Sequence, residues 1–284
     1  MARSEFNYSA PFTVTEEMKE SFKEKGYVLI RGLLEKDELE KVKSTLEGSE
    51  EIQRHSFVTD DSEGRKTRVS LWCQPGNDVT GMLSRSQRLA GTCAELLGGE
   101  VYHYYTKLMM KEPRTGGRFV WHQDYGYWYN NGNLYPDMIS VFVAIDKCEK
   151  ANGCLQILEG SHKCGRIEHG RVGGQMGANM DRVEQIKSRL PLRYIEMNPG
   201  DTLFFHCNIL HTNTANVSDK RRWVVIACYN KATNDPVIEH HYPRYTKLDI
   251  VNDNAIRECT NVSDMSGKEF LDPADNKTIE ASRG

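Results

Sequence analysis

At 284 residues and 38% hydrophobic, the chain is long enough for one large domain with a substantial core, or at most two small ones, and a single domain over 1–284 is expected. Its 37 Lys and Arg against 40 Asp and Glu give a formal charge of -3 without a block of one sign, which argues against nucleic acid or an anionic membrane as partner. The opening MARSEFNYSAPFTVTEEMKE has no apolar signal core, and no stretch approaches the roughly 18 apolar residues of a membrane span, so the cytoplasm is the expected compartment.

Thr13 or Thr15 can cap a helix that runs through Met18 and Phe22 and is stopped by Gly26. Tyr27-Val28-Leu29-Ile30 then reads as a short strand, and a second helix follows from about Glu35 to Leu46. Residues 48–66 are polar and charged, as in a surface loop. Met82, Leu89, Ala90, Cys93, Leu96 and Leu97 recur at helical spacing until Gly98-Gly99 ends a third helix. Strands are expected at Val101 to Lys111, Met138 to Ile145, Leu155 to Leu158, Tyr194 to Met197, Thr202 to Phe205 and Trp223 to Tyr229.

A helical part over about 13–98, a β core over about 101–232 and a polar tail over about 247–284 predict a mainly β fold with flanking helices, its core closed or sandwiched. The glycine-rich, charged stretch from Gly160 to Pro191 is a candidate lid. The chain ends in Ala281-Ser282-Arg283-Gly284, which is not a Ser-Lys-Leu type of peroxisomal address. Eight cysteines without a CxxC pair read as reduced thiols, with neither a zinc knuckle nor a disulfide framework indicated.

Trp121-His122-Gln123-Asp124 places two ligand-type side chains at i and i+2, which project to one face of an extended segment while Gln123 turns away. Two imidazoles and a carboxylate on one face of an octahedron leave three adjacent positions on Fe(II), two for a bidentate 2-oxo acid and one for dioxygen. Downstream, the turn Asn198-Pro199-Gly200-Asp201 leads into a strand followed by His206 and His211, and Arg222 lies eleven residues beyond His211. Either histidine can reach the core. A guanidinium near the metal would offer a planar fork to the far carboxylate of the 2-oxo acid.

These residues resemble the phytanoyl-CoA hydroxylase-like family of Fe(II)/2-oxoglutarate dioxygenases, and the Trp-His-x-Asp pattern with a following Trp is similar to ectoine hydroxylases. The resemblance extends over Phe22…Gly26-Tyr27-Val28, Lys111…Trp121-His122-Gln123-Asp124…Trp128, Asn152-Gly153-Cys154-Leu155 leading to Gly160-Ser161-His162, Pro199-Gly200-Asp201, and His211 with Arg222. It implies a double-stranded β-helix (jelly-roll, cupin-like) core with iron on His122, Asp124 and His211. It assigns the distal carboxylate of 2-oxoglutarate to Arg222, with Lys111, Asn213 and Phe142 as further co-substrate contacts. His211 is preferred to His206 because Arg222 follows it at the family spacing. The implied reaction is hydroxylation of an aliphatic C–H with O2, 2-oxoglutarate being decarboxylated to succinate; ascorbate is the expected reductant in vitro.

Strand alternation from Lys111 puts Met109, Lys107, Tyr105 and His103 on the same inner face, so Lys107 and Tyr105 are expected to line the pocket. Tyr125, Tyr127, Trp128 and Tyr129 form a dense aromatic run that could wall a substrate or stack on a cation, and Trp128 is the contact the ectoine hydroxylases imply. Tyr125, Arg68 and Trp72, with Arg166 and His169 on the lid, are further substrate candidates. Tyr105 and Asn213 fall where the ectoine enzymes have glutamine and serine, which argues for a different small polar metabolite. The alternatives are an acyl-CoA or lipid hydroxylase, desaturation instead of hydroxylation, a non-catalytic binding member of the fold, and a hydrolytic zinc site.

Overall fold

The computed structural model describes residues 3–61 and 63–275; the end of the polar tail, with 281–284, lies outside the described residues. A short strand β1 (Glu5–Asn7) precedes α1 (Glu16–Lys25). The Thr15 hydroxyl caps this helix by accepting from the Met18 amide, and Gly26, at φ +84°, ends it by donating its amide to the Phe22 carbonyl. A β-carbon on Gly26 would come within 2.5 Å of His162 and Ile209, so conformation and space both require glycine. Next come β2 (Tyr27–Arg31) and α2 (Lys36–Gly48), the latter opened by a reciprocal Glu35–Glu38 capping box.

The segment read as a loop is ordered. It contains α3 (Glu50–Arg54) and a hairpin of β3 (Phe57–Asp60) and β4 (Lys66–Trp72). Its polar residues fill exposed alternate positions of an edge strand, where they disguise the pattern. The third expected helix is two helices, α4 (Val79–Arg85) and α5 (Thr92–Leu97), joined by a π turn over Gln87–Gly91.

The second half supplies β5 (Val101–Lys111), β6 (Phe119–His122), the one-turn α6 (Asp124–Trp128), β7 (Met138–Ala144) and β8 (Leu155–Leu158). It continues with β9 (His169–Val172), β10 (Gln175–Ala178), α7 (Met180–Lys187), β11 (Leu192–Ile195), β12 (Thr202–His206), β13 (His211–Asn213), β14 (Arg222–Lys231) and α8 (Ala255–Glu258). The stretch read as a lid is therefore a β9–β10 hairpin and a helix. These pack on a buried cluster of their own that includes Ile167, Val183 and Ile186.

An eight-stranded sheet in the order β1-β2-β12-β7-β14-β5-β4-β3 and a four-stranded sheet in the order β11-β8-β13-β6 form the double-stranded β-helix. Pairing is antiparallel except between β1 and β2. Alternation along the central strands sorts the core into two compartments. Val141, Val143, Val225, Ala227 and Phe204 join the layer that includes helix residues Phe22, Val42, Leu83 and Leu89. Phe142, Val224, Ile226, Leu203 and Phe205 join Leu155 and Ile157 of the four-stranded sheet. The functional residues project into the second compartment.

The tail wraps rather than frays over its described part. Phe270 bridges to Trp72, Ile256 and Met265 are buried, and Lys268, fully buried, pairs with Asp78 at 2.7 Å. Among the described residues no helix is long and apolar enough to cross a membrane.

Candidate active site

His122 is the last residue of β6 and lies directly opposite His211, the first residue of β13. Gln123 stays extended, and its side chain turns away to donate to the Gly165 and Asn208 carbonyls at 2.8 Å each and to accept from the Ile167 amide at 2.7 Å. Asp124 then begins α6, so the carboxylate returns to the imidazole side. Ligand atoms of His122, Asp124 and His211 all lie within 4.8 Å of one another, and all three residues are buried.

The hydrogen bonds around this cluster fix its polarity. His122 Nδ1 lies 2.7 Å from the Val120 carbonyl and His211 Nδ1 lies 2.9 Å from the Ile209 carbonyl. A carbonyl only accepts, so both Nδ1 atoms carry the proton and both Nε2 atoms present lone pairs. These face Asp124 Oδ1 at 3.9 and 3.8 Å, while Asp124 Oδ2 accepts from the Ser140 hydroxyl at 2.6 Å. Burial, and then the other imidazole, hold His122 well below its ordinary pKa, and burial lowers His211. Burial opposes ionisation of Asp124, but His211, Lys107 and His122 outweigh it and keep the carboxyl below its usual range. Two neutral imidazoles and one carboxylate converging on a point are a donor set for a divalent ion on bonds of about 2 Å.

Ser140→Ala should leave the fold intact and weaken Fe(II) binding by about ten- to a hundred-fold, because the carboxylate loses the hydroxyl that aims it. Iron titration of the apoprotein measures this.

Arg222 and Lys111 are direct partners across the β14–β5 pair, and both side chains are fully buried. Lys111 donates to Asn213 Oδ1 and, at 2.6 Å, to the Thr214 carbonyl. Arg222 is not comparably satisfied. Its Nη2 contacts the Met109 sulfur at 3.6 Å, the Cys148 thiol interacts weakly with the guanidinium, its carbon Cζ lies 5.8 Å from the Phe142 ring centre, and among the described residues its Nε and Nη1 have no partner at hydrogen-bond geometry. Burial lowers both pKa values, and for Lys111 the neighbouring Arg222 adds to the effect. Two buried cations with orphaned guanidinium donors are costly as they stand and fit a carboxylate that would accept from the fork.

A cavity of about 210 Å³ reaches the three converging residues and is also lined by Phe142, Asn213, Tyr105, Lys107 and Trp128. Arg222 and Lys111 do not line it; they adjoin Met109, Phe142 and Asn213, which do. Other sequence candidates lie elsewhere. Val69 and Leu71 of β4 line the cavity, so Arg68 and Trp72 face the opposite side: Arg68 contacts the Met110 sulfur, and Trp72 is buried in the helix-facing core. Tyr125 is buried beside the site, but its hydroxyl is committed to the Asn133 and Leu134 carbonyls. Tyr129 and Arg166 stack at the surface. His206 accepts from the Asn208 amide and packs near Phe22 and His162, apart from the cluster.

His103 also departs from the alternation. An irregularity between Cys228 and Tyr229 leaves Tyr104 without a partner in the β14–β5 register, and beyond it the faces exchange. His103 therefore bonds Thr106 on the helix side, while Tyr104 joins Tyr105 and Trp128 inside.

Several lining or supporting residues were not assigned these places from the sequence, and His169, a substrate candidate there, instead supports the metal-side turn through both ring nitrogens. Phe57, Thr59 and Tyr242 line the cavity from segments read as loop or left unassigned. His169 accepts from the Gln123 amide at 2.9 Å, and a β-carbon on Gly126 would lie 2.1 Å from its ring, so glycine lets α6 close onto this histidine. Tyr127 then packs between His122 and His169 and donates to the Met176 carbonyl.

A jelly roll that brings two imidazoles and a carboxylate together above a buried, unsatisfied guanidinium is the framework of an iron- and 2-oxoglutarate-dependent dioxygenase. The sequence pattern of the phytanoyl-CoA dioxygenase (PhyH) family matches residues 22–224, and the chain belongs to that family. It is 28% identical over 227 residues to L-proline trans-4-hydroxylase of Streptomyces griseoviridis, covering 74% of this chain and 84% of that protein. It is 25% identical over 225 residues to a 2-aminoethylphosphonate dioxygenase from uncultured bacterium HF130_AEPn_1, covering 76% and 82%. In three dimensions it resembles EctD from S. alaskensis with 2-oxoglutarate and 5-hydroxyectoine, at a TM-score of 0.71, 19% identity and coverage of 86% and 90%.

Proposed function

We propose that this chain, acting as one domain, hydroxylates an aliphatic C–H bond of a small polar metabolite, with iron(II) held by His122, Asp124 and His211 and 2-oxoglutarate anchored by Arg222. The observation that carries this reading is the Arg222 guanidinium, buried with two donors unsatisfied beside a cluster of neutral imidazoles and a carboxylate. When bound, iron(II) supplies the oxidising chemistry, one oxygen atom of O2 entering the substrate and the other the succinate formed by decarboxylation of 2-oxoglutarate. The protein's part is positioning. Val120 and Ile209 carbonyls set the imidazole tautomers, Ser140 aims the carboxylate, and Arg222 with Lys111 and Asn213 fixes the far end of the co-substrate. A donor set without Arg222 would suit zinc equally; the guanidinium favours an oxo-acid enzyme over a hydrolase.

A cavity of about 210 Å³ favours a small molecule over an acyl-CoA, as do the relatives that act on proline and 2-aminoethylphosphonate. Eight unpaired thiols, six of them buried, suit a reducing compartment and support a cytoplasmic location. The test is aerobic incubation with Fe(II), ascorbate and 2-oxoglutarate across a panel of small metabolites. Succinate formed together with a product one oxygen atom heavier is the expected result; tight iron binding with no 2-oxoglutarate consumption by any member of the panel would support a non-catalytic role instead.

A further inference from the structure

Lys107 projects from the middle of β5 into the cavity, and its position in the sheet is unusual for a cation. Across the eight-stranded sheet it lies in one row with Leu71, Ile226, Phe142 and Leu203, all apolar and facing the same compartment. The next row contains Tyr105, Cys228 and Ser140, the residue that holds Asp124, so Lys107 stands about 7 Å along the strand from the support of the metal cluster. Among the described residues Lys107 makes no hydrogen bond or ion pair; its recorded contact is with the Tyr105 ring, 5.8 Å from the ammonium.

The one acid this cavity offers the ammonium is Asp124, whose carboxyl Lys107 helps to hold below its usual range without a direct ion pair. Apart from the two imidazoles, its lining contains one cation, Lys107, and one acid, Asp124, whose oxygens already face Ser140 and the imidazoles. Beside Lys107 stands an aromatic wall: Tyr105 stacks on Tyr242 at 4.9 Å and meets Trp128 edge-on at 6.0 Å. A half-buried ammonium with apolar neighbours and, among the described residues, no hydrogen-bonding partner is matched by an anion that arrives with the ligand. Arg222 and Lys111, which lie beyond Met109, Phe142 and Asn213 and do not line the cavity, are assigned to the co-substrate, which leaves Lys107 as the lining cation for the molecule to be oxidised.

We infer that the substrate is a small oxyacid anion, a carboxylate or phosphonate, whose acid group is received by Lys107 while its carbon skeleton lies against Tyr105, Trp128 and Tyr242. This deepens, and rests on, the dioxygenase reading. Lys107 is then the residue that decides between an acid and its uncharged analogue, and a lost charge-assisted hydrogen bond corresponds to about ten- to a hundred-fold in binding.

The experiment uses the full chain loaded anaerobically with Fe(II) and 2-oxoglutarate, in which the visible charge-transfer band reports co-substrate on the metal. Small carboxylates and phosphonates, L-proline and 2-aminoethylphosphonate among them, are then titrated beside matched compounds that lack the anionic group, such as L-prolinamide, with perturbation of the band and aerobic turnover as readouts. The wild-type protein should bind acids at least about ten-fold more tightly than their amides. Lys107→Gln should narrow that gap by raising the KM of the acid far more than that of 2-oxoglutarate, and Lys107→Arg should preserve it. Equal binding of acids and amides by the wild type, or no response to any acid, overturns the inference without need of a variant. So does a Lys107→Gln protein whose defect lies in the KM for 2-oxoglutarate. Failure of the band to form would overturn the dioxygenase reading itself, and the inference with it.

Discussion

Arg222→Met should raise the KM for 2-oxoglutarate by roughly a hundred-fold or more, since two charge-assisted hydrogen bonds to one carboxylate are lost together. Iron affinity should change little, because Arg222 belongs to β14 and none of the three converging residues depends on it. The same substitution has a second expected effect of opposite sign. In the absence of co-substrate the native guanidinium is buried with Nε and Nη1 unpartnered and with Lys111 beside it. An apolar chain of similar length removes that penalty, so the ligand-free variant should melt at a higher temperature than the native protein. Adding 2-oxoglutarate to the iron-loaded protein should raise the native melting temperature and leave that of the variant where it was. Equal losses in iron and 2-oxoglutarate binding would count against the anchor.

Asp124→Ala should abolish iron-dependent succinate formation and weaken Fe(II) binding by more than the roughly hundred-fold that loss of a supporting hydrogen bond costs. The carboxylate is the anionic member of the set, and without it two neutral imidazoles remain. His206→Ala provides the contrast. It removes an imidazole that accepts from the Asn208 amide and does not face the cluster, so iron affinity should match the native value. Isothermal titration of Fe(II) under nitrogen distinguishes the two, and an iron affinity in Asp124→Ala close to native would remove Asp124 from the donor set.

The sequence was readable where one local rule acted alone. Thr15 and Gly26 bracket α1 by cap chemistry, and the i, i+2 spacing of His122 and Asp124 held because Gln123 remains extended and is pinned outward by three hydrogen bonds. Alternation placed Met109, Lys107 and Tyr105 at the cavity. It failed at His103, because one unpartnered residue exchanges the faces and no residue type announces it. Arg68 and Trp72 were attractive by chemistry alone, and once β4 forms, the pleat that turns Val69 and Leu71 inward turns them outward. Ser140 was not seen, and His169 was assigned to substrate instead of to support of Gln123, for a different reason. Each acts through a contact separated by 16 and 46 residues, respectively, in the chain, and neither residue type is diagnostic until that contact exists.

The β3–β4 hairpin supplies Phe57, Thr59, Val69 and Leu71 to the cavity wall, yet β3 is the terminal strand of its sheet and has β4 as its one strand partner. The residues that converge on Asp124, and those that flank Arg222, belong to other strands. Selection can therefore vary the inward-pointing side chains of this outermost ribbon without replacing any residue of the cluster behind it. The shape of the cavity's outer wall can in this sense change while the converging imidazoles and carboxylate stay where they are.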